Sequence, residues 1–117
     1  MSRFVSLVLL VLGLVAGCGS GSGGVKAAGT LTNPDQANSR FTIDPLTSFE
    51  GFVPKNNRVD VATTANTAFQ DESGNAMTAQ SFYTFVTTNA GVRVLHVAVE
   101  GFGGADLIIA NQVRLTP

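Results

Sequence analysis

The sequence predicts a mainly β domain, a small barrel of five to six antiparallel strands with one short helix at about 78–88. Three observations predict it. Short runs of alternating apolar and polar residues recur from Gly29 onward. Glycine, proline, asparagine and aspartate separate those runs. A single window, around Phe82, Phe85 and Val86, switches from alternation to helical spacing. At 117 residues the chain has room for one such domain.

Taken in order, "GTLT" leads into "NPDQANS", where Asn33-Pro34-Asp35 is a turn signal, and "RFTID" returns with Phe41 and Ile43 facing one way. Asp44-Pro45 is expected to end that hairpin, because proline lacks the ladder donor. "SFEGFVP" reads as an edge strand or structured loop. "RVDVATT" puts Val59, Val61 and Thr63 on one face, and "TAFQDESGNAM" carries Phe69 into an acidic glycine turn. The helix follows, with Thr78 or Ser81 as its cap and Gly91 as its stop.

"VRVLHVAVEG" and "ADLIIANQVRLT" are the last two strands, joined through Phe102-Gly103-Gly104. Parity assigns Leu95, Val97 and Val99 inward and His96 outward. In the final strand it assigns Leu107, Ile109, Val113 and Leu115 inward, with Ile108, Ala110, Gln112 and Arg114 opposite. Three strands, a short helix and two more strands make the order of an OB-like, Greek-key barrel.

The N-terminus carries a separate signal. Arg3 precedes a charge-free apolar run over residues 4–17. That run is shorter than the about 20 residues needed to span a bilayer, and it fits the apolar core of a secretory signal. Leu14-Val15-Ala16-Gly17-Cys18 resembles the lipobox of bacterial lipoproteins. The resemblance implies a signal peptide at 1–17, cleavage before Cys18, and covalent diacylglycerol and N-acyl lipid, palmitate included, on Cys18. Two or three chains at about 0.8 kcal/mol per buried methylene make a stable anchor. Gly19, and not aspartate, follows the cysteine, which in that family implies the outer membrane, facing the periplasm, if the host has two membranes. Residues 18–28, rich in glycine and serine, read as a flexible linker, leaving 29–117 as the folded domain.

The domain also resembles a small bacterial β-barrel domain of unknown function that is common, often as tandem repeats, in envelope lipoproteins. The residues that carry this are Gly29-x-Leu31, Phe41-x-Ile43, Val59-x-Val61, Thr67-x-Phe69, Gly74, Phe82, Gly91, Val97-x-Val99-x-Gly101 and Ala110-x-x-Val113-x-Leu115. "PLTSFEGFVPKNN" is longer than that pattern, and one copy is present. The resemblance implies a fold and a cell-envelope location but no residue-level mechanism.

Composition narrows the function classes. Seven Lys and Arg stand against eight Asp and Glu, which supplies no basic face for nucleic acid. The lone cysteine forbids an internal disulfide. With one histidine, His96, and Cys18 committed to lipid, a His/Cys metal cluster is excluded and no metal or catalytic residue is assigned. Asp71, Glu72 and Asn75 in "QDESGN" offer oxygens for calcium, but without the alternating pattern of a calcium loop, and a solvated hairpin turn on Gly74-Asn75 explains the same residues with no ligand.

Phe41, Phe49, Phe69, Phe82 and Phe85 are expected in the core. Phe52 and Phe102, each following a glycine at a turn, are the candidate binding aromatics, with His96 the candidate polar contact. Glu50-Gly51-Phe52 and Glu100-Gly101-Phe102 repeat a tripeptide, though their flanks align poorly. The expected function is a lipid-anchored, non-catalytic binding or scaffolding module for a saccharide, a peptide or another envelope protein. The alternative is an enzyme or accessory subunit using His96 with a carboxylate that spacing does not identify; Glu50, Asp60 and Glu100 are the carboxylates that could be paired for glycoside hydrolysis.

Overall fold

The computed structural model describes residues 24–117. The signal-peptide and Cys18 readings lie outside the described residues. The chain runs β1 (Gly24–Asp35), a 3₁₀ turn (Gln36–Asn38), β2 (Arg40–Glu50), β3 (Val59–Ala62), β4 (Ala68–Gln70), β5 (Ala76–Met77), α1 (Ala79–Asn89), β6 (Leu95–Gly104) and β7 (Leu107–Thr116). The domain is mainly β with one short helix. Among the described residues the strands number seven in a mixed sheet, where five to six antiparallel ones were expected.

Strand β1 pairs antiparallel with β2 on one side and with β6 on the other. Beyond them β2 pairs with β3 and β6 with β7, again antiparallel. The first half of β7 then lies parallel to β3, from Asp60 opposite Leu107 to Ala62 opposite Ile109, so the pairings of five strands return to their start. Its second half lies parallel to β4, and β4 pairs with the two-residue β5. Parallel pairs arise because the chain between β3 and β7 makes a crossover through α1 and β6, a connection that local alternation does not reveal.

Two expectations about strand limits are corrected. Strand β1 begins at Gly24, so residues 24–28, read as linker, belong to the sheet. Val25 and Ala27 are buried, and the pairing of Lys26, Ala27 and Ala28 with both neighbouring strands outweighs the weak β propensity of a Gly/Ala-rich stretch. Pro45 does not end β2, which continues to Glu50. The β1–β2 register shifts on either side of Gly29, and the proline sits at that irregularity, where no ladder donor is required of it.

In β7 the register shifts between Glu100 and Gly101, leaving Asn111 as an extra residue. This bulge resets the side-chain parity. Ile108 and Ala110 are therefore the buried residues ahead of it and Val113 and Leu115 those after it, while Leu107 and Ile109, expected inward, are half-buried on the other face.

The core holds Val59, Val61, Leu95, Val97 and Val99 as the alternation predicted. Helix α1 contributes Phe82, Tyr83 and Val86, with Thr78 as its cap, the Thr78 hydroxyl accepting from the Ser81 N–H at 3.0 Å. Ala90, in helical conformation, and not Gly91, closes it. Phe82 stacks among Phe69, Tyr83 and Phe41, with centroids 4.7, 5.2 and 5.7 Å away. Phe49 departs from expectation. It is 46% exposed at the end of β2, 5.8 Å from Phe52, because the chain leaves the sheet two residues later at Gly51 (φ 86°).

Tyr83 anchors a buried polar chain. The Thr63 hydroxyl donates its one proton to the Ser39 carbonyl at 3.1 Å, so the Tyr83 phenol is the donor in their 2.8 Å contact. Burial pushes the Tyr83 phenol above its ordinary value of 10.0, the Thr63 hydrogen bond opposes this, and Asp35 adds to it. A raised folded-state pKa means stability is complete below the unfolded value and is lost as pH rises past it. Tyr83 is the only tyrosine, so its ultraviolet absorbance titration reads this group alone. The expected result is ionisation above 10.0 in the folded protein, with stability falling in the same range. Tyr83→Phe is expected to cost about 1 kcal/mol at neutral pH and to remove that fall, as read by urea unfolding.

Candidate functional site

The outward face of β2, β1, β6 and β7 is built in rows by the strand registers. Glu50, Lys26, Glu100 and Gln112 are successive neighbours across the four strands. The next row is Ser48, Ala28, Ala98 and Arg114, and the third joins Thr30, His96 and Thr116 across β1, β6 and β7. Small side chains at Ala28 and Ala98 leave a low floor between the charged row and Arg114, a shallow depression of about 470 Å³. A second hollow of about 500 Å³ continues from Lys26, Glu50 and Glu100 toward Gly24 and the Asn111 bulge.

The two Glu-Gly-Phe tripeptides explain why this end of the sheet is shaped as it is. They lie on opposite sides of the first residues of β1: Lys26 is flanked by Glu50 and Glu100, Val25 faces Gly101, and Gly24 faces Phe102. Each glycine permits a close approach. A Cβ on Gly51 would overlap the Gly24 carbonyl oxygen, and one on Gly101 would overlap the Ile109 carbonyl oxygen. Sequence reading had the repeat in view but not its meaning. Only the register shows that both copies clasp one strand.

The predicted site residues are thus divided. Phe102 is 48% exposed on the outward face beside Gly24 and Ile109. Phe52 is half-buried against the core, its Cβ close to Gly104, so it is part of the wall and not a free binding surface. His96 is exposed, three rows from Phe102, between Thr30 and Thr116. The outward carboxylate of its own strand, Glu100, is four residues on, about 13 Å along the strand. Asp60 is occupied elsewhere, accepting from the Thr42 hydroxyl at 2.8 Å with Arg58 at 4.0 Å. The structure therefore does not bring His96 and these carboxylates together.

The acidic turn is built from its own groups. One Asp71 carboxylate oxygen accepts the backbone N–H groups of Ser73 and Asn75, both at 2.9 Å, and Glu72 meets Arg93 at 3.0 Å. Arg93 in turn lies 5.5 Å from the Phe85 ring centroid. Among the described residues no group of three or more His, Cys, Asp or Glu side chains is placed to hold a metal ion. Nor, among them, is any helix long and apolar enough to cross a membrane.

Chemically, the face offers one lysine between two glutamates, a neighbouring arginine and a floor of alanine. Such a surface can hydrogen-bond and ion-pair with a polar ligand or a partner's surface. Comparison of the chain with protein-family models, with curated proteins and with solved structures finds no match.

Proposed function

We propose that this protein is a lipid-anchored component of a bacterial cell envelope whose small OB-like barrel is a non-catalytic binding or scaffolding module. The observation that carries the reading is Leu14-Val15-Ala16-Gly17-Cys18 directly after the charge-free run of residues 4–17. Cys18 is the acylated residue, residues 1–17 are the signal peptide, and an outer-membrane position facing the periplasm follows from Gly19 if the host has two membranes.

The barrel reading is supported by the five-strand circuit, by the parallel β3–β7 pair within it, and by α1 lying in sequence between its third and fourth strands. The binding reading is supported by the row Glu50, Lys26, Glu100 beside the alanine floor, which suits a saccharide or a segment of another envelope protein. An enzyme built on His96 draws no such support, given its distance from Glu100 and the commitments of Asp60.

The test is metabolic labelling with palmitate of the intact chain and of Cys18→Ser in a bacterial host. Label is expected on the wild-type protein in the membrane fraction, with none on Cys18→Ser. Equal labelling, or a soluble unlabelled wild-type product, would overturn the reading.

A further inference from the structure

The tether is shorter than its composition suggests, and the place where it joins the sheet is apolar. Gly24, the first described residue, already lies in β1, and five residues, 19–23, stand between it and Cys18. Six Cα-to-Cα steps reach at most about 22 Å even fully extended. Gly24 must then lie within that distance of an acylated Cys18.

Among the described residues, three of the five exposed large apolar side chains sit at this same end. Phe102 is the cross-strand neighbour of Gly24. Phe49, the last residue but one of β2, is the cross-strand neighbour of Ala27. Val53, 80% exposed, follows in the loop whose first residue, Gly51, abuts the Gly24 carbonyl. The other two, Val92 and Val94, are at the opposite end, beside Leu95, which faces Leu31 far along β1.

We infer that Phe102, Phe49 and Val53 form a bilayer-contacting rim that lays the Gly24 end of the domain against the membrane interface. The inference rests on the lipoprotein reading above. Lys26, Lys55 and Arg58 near this end are matched by Glu50, Asp60, Glu100 and Asp106, so the contact is one of apolar side chains and not of charge. It orients the face of Lys26 and Ala28 edge-on to the membrane, with α1 on the far side, where it packs with the Gln36–Asn38 turn.

The chain has no tryptophan, so a single introduced indole reports its own surroundings. The acylated full chain, its lipid verified by intact mass, is placed in phosphatidylcholine vesicles as Phe102→Trp and, separately, as Val94→Trp. Phe102→Trp is expected to emit at shorter wavelength and to lose about half its emission when brominated lipid is substituted, as for a side chain about 5–10 Å into the headgroup boundary. Val94→Trp is expected to show neither change, and salt is expected to alter neither result.

An acylated protein whose Phe102→Trp emission ignores brominated lipid would overturn the rim while leaving the lipoprotein reading intact. A blue shift that tracks protein density and not bromine would assign the patch to a second copy, also against the proposal. An unacylated product would remove both readings.

Discussion

Phe82→Ala is expected to bring the domain close to unfolding. Phe82 is fully buried and lies at the meeting point of Phe41, Phe69 and Tyr83, so no neighbour can move into its space without breaking a second ring contact. A cavity of that kind costs about 3–5 kcal/mol, set against a total stability of about 5–15 kcal/mol for a domain. Urea unfolding followed by far-ultraviolet circular dichroism measures it. The predicted outcome is a midpoint moved to a small fraction of the wild-type value, with Phe82→Leu in between. A Phe82→Ala protein of nearly wild-type stability would show that α1 is not the plug of this core.

Gly101→Ala is expected to be nearly as damaging, for the opposite reason. A methyl group there would overlap the Ile109 carbonyl oxygen and stand 2.9 Å from the Ala110 Cα, which are backbone atoms of β7 at its bulge. Backbone cannot rotate away as a side chain can. Forced overpacking of this kind costs about 1–3 kcal/mol and sometimes more, and the upper end applies where the ladder itself must separate. Gly91→Ala is the matched control, since nothing lies within 4 Å of a Cβ at Gly91. Thermal unfolding of the two variants side by side should show a large fall for Gly101→Ala and almost none for Gly91→Ala. Equal midpoints would contradict the close β6–β7 approach that clasps the start of β1.

The contrast between those two glycines shows what was legible in the sequence. Both carry the same letter, and only the partner strand distinguishes them. Alternation over Val59 to Thr63 and Leu95 to Val99 predicted buried faces correctly, as did the helical spacing of Phe82 and Val86, because each depends on one element and one core. Inverting Ile108 and Ile109 was the corresponding failure. A bulge adds one residue with no compositional mark, and every parity assignment on its far side reverses.

The candidate site was legible only in fragments. Phe102, whose exposure the sequence leaves open, is 48% exposed, whereas Phe49, expected in the core from its apolar surroundings, stands exposed at a strand end. Lys26 was missed. It lay in what read as linker, and its significance comes from Glu50 and Glu100, which are far from it in sequence and adjacent to it in register. The repeated Glu-Gly-Phe tripeptide was the signal that could have found it.

The proposed lipid anchor, Cys18, stands six residues before Gly24, the first described residue of the sheet. The most direct measurement is the intact mass of the protein recovered from the membrane fraction of a bacterial host expressing the full chain. The account predicts a chain beginning at Cys18 and carrying diacylglycerol with or without an amide-linked acyl group. A full-length or truncated chain bearing no lipid mass would contradict it.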